Sequence, residues 1–214
     1  MKERPIIFND EMVRAILSGQ KTQTRRTVAN VRPDNCLTLR KPTKTKAGTH
    51  THVIDAPKHG LCPFGKVGDR LWVREAFAAG LCTKSTMAYR ATHKPIDLDE
   101  GWDEVIKWRP SIHMPRWASR ILLEITDARV ESLKDISNED AQAEGMTFTD
   151  YGLDRFGNQR PGWLWRKSSH HEECLGSAKW AFANLWESIY GEESWRSNPW
   201  VWVIEFKRVE GGAV

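Results

Sequence analysis

The sequence predicts an α+β fold: a small mixed β-barrel flanked by short helices and interrupted by long inserted loops. Three observations lead there. Apolar residues alternate at period two in several separated stretches, as half-buried strands require. Two segments carry helical periodicity with start and stop residues at their ends. Between them lie irregular stretches rather than the repeated crossover helices of a doubly wound sheet.

Taken in order, residues 5–8 read as a short strand through Ile6, Ile7 and Phe8. Asn9 or Asp10 is a good N-cap for a helix running to Leu17, with Glu11 adding negative charge to its first turn. Met12, Val13, Ile16 and Leu17 form its apolar stripe, and Gly19 reads as its C-cap. A dense polar run follows: Lys21, Thr22, Gln23, Thr24, Arg25 and Arg26. Cations near a helix C-terminus are favoured by the dipole, so a plain solvated surface fits. A lysine and hydroxyls set immediately after a rigid element also suit an anionic or polar substrate.

Residues 30–60 lack apolar periodicity and read as a loop or short hairpin insertion, with one edge strand over 49–54. Turn residues Pro63, Gly65 and Gly68 lead into a strand over 71–77. Leu71 and Val73 point one way along it, and Trp72 and Arg74 the other. Glu75 falls on the Leu71 face, where it is either solvated at the strand end or paired with Arg25, Arg26 or Arg120. Residues 78–118 form a second irregular region, with a strand over 87–91 and an acidic, turn-rich stretch over 93–103.

Within 108–120, Trp108, Arg109, His113, Arg116, Trp117 and Arg120 cluster around Pro110 and Pro115, which make the segment stiff and non-helical. Interleaved aromatic and guanidinium groups can stack on bases and hold phosphates. The other reading has the tryptophans plugging a barrel end while the arginines reach out to water. The clearest long strand spans 121–130. Ser137 caps a short helix over 138–144 that stops at Gly145. Residues 149–175 look inserted; His171 and Cys174 have ligand-like spacing but no second pair, and no metal is expected. A longer helix covers 177–190 and ends at Tyr190 and Gly191. The closing strand over 199–206 is too apolar for a sheet edge, and the glycine-rich tail beyond it should fray.

Length fits one domain over 1–214, with insertions at about 30–60, 78–118 and 149–175. The 32 basic residues exceed the 28 acidic ones by only four, which permits nucleic-acid binding without requiring it. Cys36, Cys62, Cys82 and Cys174 form no CxxC pair. With no secretory or membrane-spanning stretch in view, they read as free thiols of a cytoplasmic protein. Glycine phosphate loops, EF-hands and the HExxH and GxSxG motifs are missing, so no cofactor is expected.

Four segments then carry a family resemblance: Gly19, Lys21, Thr24 and Arg26; Val67, Gly68, Asp69, Leu71 and Val73; the Ala-Glu-Gly-Met stretch at 143–146; and the closing strand through Trp202, Val203, Ile204, Glu205 and Phe206. Together they resemble the ASCH family of PUA-like β-barrels, in particular its larger bacteriophage and prophage members. That resemblance implies a cleft for RNA or a nucleobase and, for a phage protein, the cytoplasm of a bacterial host. It also implies amidohydrolase chemistry, removal of an acyl group from N4-acetylcytidine, with Lys21, Thr24 and Glu144 in the catalytic positions. Lys21 would act as nucleophile or base, Thr24 would relay a proton or orient the substrate, and Glu144 would serve as acid/base or hold the lysine, with Glu75 as the rival carboxylate; the alternative is a plain Lys21–Glu144 salt bridge. Arg25, Arg26, Trp72, Arg74, Glu75, His113, Arg116, Trp117 and Arg120 are the expected substrate-binding residues. A non-catalytic binder of RNA or single-stranded nucleic acid, a ribonuclease using His113, and a protein-binding factor with interface tryptophans are the rival readings.

Overall fold

In the computed structural model, which describes residues 1–79, 87–94, 106–166 and 170–209, a five-stranded mixed sheet carries the molecule. The chain opens with β1 (Glu3–Ile7), α1 (Asp10–Leu17) and β2 (Gln23–Thr27). A hairpin of β3 (Cys36–Arg40) and β4 (Thr49–His52) fills the first insertion. Next come β5 (Arg70–Arg74), the small β6–β7 pair (Phe77–Ala79 with Met87–Tyr89) and the long β8 (Leu122–Ser132). They are followed by α2 (Asn138–Ala143), the short β9–β10 pair (Thr147–Phe148 with Trp163–Leu164), α3 (Ala178–Tyr190), α4 (Glu193–Arg196) and β11 (Trp200–Arg208).

Capping fixes the helices where the sequence places them. The side chains of Asn9, Ser137 and Ser177 accept from the amides of Met12, Asp140 and Trp180, so each helix starts with an otherwise orphaned donor satisfied. α1 ends on Ser18, with Gly19 beyond it at φ +80°, a conformation glycine adopts without Cβ strain.

The main sheet runs β1-β5-β8-β11-β2; β1 and β5 are parallel and every other pairing is antiparallel. Leu71, Val73, Leu123, Ile125, Ile204 and Phe206 pack on Ile6, Phe8, Val13 and Ile16 to form one core. On the opposite face Val201 and Val203 meet Phe182, Leu185 and Trp186 of α3, with Leu133 and Ile136. β11 is therefore buried on both sides, which is why its sequence is continuously apolar rather than alternating. Burying each large side chain of that second core contributes about 1.5–3 kcal/mol.

Three expectations are corrected. The sheet is open, not a closed barrel: β1 and β2 are its two edges, and no backbone ladder joins them. The chain passes from β1 to β2 through α1. At the end of β1 the Arg26 guanidinium, not a neighbouring strand, donates to the Ile7 carbonyl at 2.6 Å. The PUA-like barrel implied by the resemblance is overturned by the same finding. Next, the strand expected over 71–77 breaks after Arg74, and Phe77 begins the separate β6–β7 pair and bridges to Arg109. Finally, the polar run after α1 is not a solvated tail. It is strand β2, hydrogen-bonded to β11 and buried at Gln23, Thr24 and Arg25. The frayed tail, Cys82 and most of the acidic stretch over 93–103 lie outside the described residues.

Candidate nucleic-acid interface

The residues named in the sequence separate into two buried ion clusters and one exposed surface. The first cluster begins at Lys21, two residues before β2. Lys21 Nζ donates to Glu144 Oε2 at 2.6 Å and to the Glu144 carbonyl at 2.8 Å, with side-chain exposures of 0% and 2%. α2 delivers Glu144 as its C-cap, and Gly145 follows at φ +103°. The alignment of the two segments is held by the Thr22 amide, which donates to the Ala143 carbonyl at 2.8 Å. Arg25 gathers three carboxylates: Asp140 at 2.8 Å, Glu131 at 3.0 Å and Glu144 at 3.3 Å. Arg129 continues the network to Glu131 at 2.6 Å and to Glu205.

Burial pushes the Lys21 ammonium below its ordinary range, and Arg26 and Arg25 act in the same sense; the Glu144 carboxylate opposes them. Lys21 Nζ also lies 5.8 Å from the centre of the Phe8 ring, with the Arg26 guanidinium 5.2 Å from that ring. Thr24 is buried beside them on β2, opposite Ile204. Thus Lys21 and Glu144 do meet across the fold, in a closed network rather than in an open cleft. Arg25 holds that network and faces no solvent.

The second cluster is Glu75 with Arg120. The guanidinium grips the carboxylate with two bonds of 2.9 Å, and Glu75 is only 1% exposed. Arg120 lies 4.0 Å from the centre of the Tyr89 ring, and the Tyr89 hydroxyl donates to the Ala118 carbonyl at 2.9 Å. Of the partners considered for Glu75, Arg120 is the one observed.

The exposed surface is built on the outer side of β5 by the 108–120 segment. Arg74 stacks on Trp72 at 5.4 Å and donates to the carbonyls of Met114, at 3.1 Å, and of Ile112. Two 3-10 turns, Ser111–His113 and Arg116–Ala118, each begin directly after a proline. Met114 and Ala118 anchor the segment in a small core with Phe77. Three of its side chains turn outward: Trp117 is 70% and Ile112 58% exposed, and His113 is exposed. Trp117 therefore plugs no barrel end. Arg116 pairs with Glu3 on β1 at 2.8 Å and holds that carboxyl below its ordinary range by hydrogen bond and charge.

One feature has no counterpart among the residues named from the sequence. A cleft of about 700 Å³ lies between α1 and the 145–166 region, lined by Arg14, Ser18, Gln20, Thr147, Trp165 and Arg166. The only sequence signal for it is the adjacent Trp165 and Arg166, in a stretch without periodicity.

No family model, curated protein or solved structure matches this chain, so the family resemblance rests on its four sequence segments alone. Among the described residues no group of three or more His, Cys, Asp or Glu side chains is arranged to hold a metal ion. No helix among them is long and apolar enough to cross a membrane. Site and fold together define an open-sheet α+β protein with a buried charge network and an exposed aromatic-basic surface.

Proposed function

We propose that this protein binds single-stranded nucleic acid, RNA foremost, without cleaving it, on the surface formed by Trp72, Arg74, His113, Arg116 and Trp117. The observation that carries the reading is Trp117. An indole 70% exposed is held on a stiff, proline-braced segment next to Arg116, whose Nε pairs with Glu3. An ordered aromatic face beside guanidinium groups is what a base stack with phosphate contacts requires. Arg74 fixes the segment through two backbone carbonyls and leaves its own stacked Trp72 alongside. The net charge of +4 favours a polyanion modestly.

The amidohydrolase chemistry implied by the resemblance needs a substrate at Lys21. That ammonium is closed to solvent and already held by Glu144, so the geometry favours binding over hydrolysis. Free thiols at Cys36, Cys62 and Cys174 fit a reducing compartment, and we place the protein in the cytoplasm. Fluorescence anisotropy with labelled single-stranded RNA, with single-stranded DNA and duplex RNA in parallel, tests the reading. Binding of single strands that weakens with salt supports it; salt-independent or absent binding contradicts it. Incubation with N4-acetylcytidine followed by mass analysis should show no deacetylation, and turnover would reinstate hydrolysis.

A further inference from the structure

We propose that the tip of the β3–β4 hairpin and the apolar groove beside it form a docking site for an acidic protein segment that carries an apolar anchor residue. The site shares no residue with the Trp117 surface, and it stands whether or not that surface binds nucleic acid.

Charge selects the partner. Arg40, Lys41, Lys44 and Lys46 crowd the short run 40–46, and no Asp or Glu occurs between Asp34 and Asp55. Together these cations equal the chain's whole formal excess of +4; outside the hairpin, basic and acidic residues balance. The flanking carboxylates are already engaged, Asp34 with Arg32 at 3.2 Å and Asp55 with Lys58 at 2.8 Å. All four cations are exposed, and none has a carboxylate partner among the described residues. A patch of one sign draws a partner of the other and speeds the encounter. The tip is ordered to present it. The Thr43 amide donates to the Lys46 carbonyl at 2.8 Å and closes the turn. Gly48 packs so tightly that a Cβ there would stand 3.1 Å from the Arg40 carbonyl oxygen and from Pro42 Cδ. At the base, the Trp200 indole donates to Asn35 Oδ1 at 2.9 Å, and His52 meets the Trp200 ring edge-on, mooring the hairpin to β11.

The groove supplies the place for the anchor. It has a volume of about 650 Å³ and is lined by β3, the 28–30 stretch after β2, the 61–63 loop and Trp202. Val28, Leu37, Leu39, Leu61 and Pro63 make its aliphatic wall, and Lys41 lines it too, so charge and apolar contact belong to one surface. A concave aliphatic wall takes a Leu, Ile or Phe side chain of a bound polypeptide. No Phe, Tyr or Trp occurs between Phe8 and Phe64, so the tip offers no aromatic face for a stacked base. A bilayer is entered by projecting apolar side chains, whereas Leu37 and Trp202 line this groove as buried ones.

Selection from a random-sequence peptide library against the full chain, followed by fluorescence anisotropy of the labelled enriched peptides, tests the site. The enriched peptides should carry net negative charge and at least one Leu, Ile or Phe, and their affinity should fall as salt rises. Arg40→Ser, Lys41→Ser, Lys44→Ser and Lys46→Ser combined should weaken binding roughly tenfold or more. Leu39→Glu sets a repelling charge in the groove and should weaken it by roughly as much. All five positions are exposed, so both variants should keep the native unfolding midpoint, which separates lost docking from misfolding. Trp117→Ala should leave peptide affinity unchanged, which keeps this result apart from the RNA measurement. Absence of any enriched peptide, enriched peptides without negative charge, or affinity unaltered in both hairpin variants overturns the proposal. Binding to phosphatidylserine vesicles or to single-stranded RNA that is lost with the four cations, with no peptide enriched, would assign the tip to a lipid surface or a nucleic acid and overturn it equally.

Discussion

Lys21 Nζ lies 2.6 Å from Glu144 Oε2 and 2.8 Å from the carbonyl oxygen of the same residue, joining two segments 123 positions apart in the chain. Both side chains are closed to solvent, so the pair is a desolvated charge contact whose partners depend on each other. Glu144→Ala should destabilise the fold by about 3–5 kcal/mol, because it leaves the Lys21 charge buried and removes one carboxylate from Arg25. The double substitution Lys21→Met with Glu144→Leu should cost less than Glu144→Ala alone, since it buries no unpaired charge there. Urea unfolding of the native protein and the two variants checks both statements; equal losses would remove the pair from the account of stability.

Gly145 supplies the turn that brings Glu144 to Lys21. At φ +103° an L side chain is strained, and a Cβ there would stand 3.2 Å from the Ala15 Cβ and 3.5 Å from the Lys21 Cβ. Gly145→Ala should therefore cost about 1–3 kcal/mol. In a chain of this size that lowers Tm by roughly 2–4 °C per kcal/mol, readable by thermal unfolding.

Asp69 governs part of the acid response. The Lys2 amide, donating at 2.8 Å, and then the Lys66 amide, at 3.3 Å, hold its carboxyl below the ordinary range, against the effect of burial. A carboxyl depressed on folding contributes stability above its unfolded pKa and loses it as pH falls through the folded value. Asp69→Asn should thus lower stability at neutral pH and flatten the loss of stability below about pH 4. Urea midpoints measured across that range provide the check, and an unchanged acid slope would contradict the assignment.

Local structure was legible where it depends on neighbours in sequence. The caps at Asn9 and Ser137 and the apolar run of β11 locate themselves. β2 was not legible, because Gln23, Thr24 and Arg25 carry no apolar period. Gln23 and Thr24 are buried by pairing with β11, and Arg25 is buried where Glu131, Asp140 and Glu144 arrive from more than a hundred residues away to meet it. Barrel closure was misread for a related reason: strand patterns specify which face is buried, not whether two edges pair. A Lys21–Glu144 pair and a Glu75–Arg120 pair each stood among the alternatives the sequence left open, but the depth of their burial was not legible. The Trp165 cleft is formed by α1 and a region about 130 residues downstream, and no local pattern announces such a meeting.

The Trp117 surface is the central claim, and one measurement addresses it most directly: anisotropy of labelled single-stranded RNA with the native protein, Trp117→Ala and Arg116→Ala over a series of salt concentrations. Trp117 is exposed enough that its removal should leave the unfolding midpoint unchanged. The account predicts roughly tenfold weaker binding for Trp117→Ala at every salt concentration, through loss of a stacked base. For Arg116→Ala it predicts weaker binding with the salt slope reduced by about one, through loss of a phosphate contact. RNA affinity and salt slope identical in all three proteins, or no RNA binding by the native chain, would contradict it.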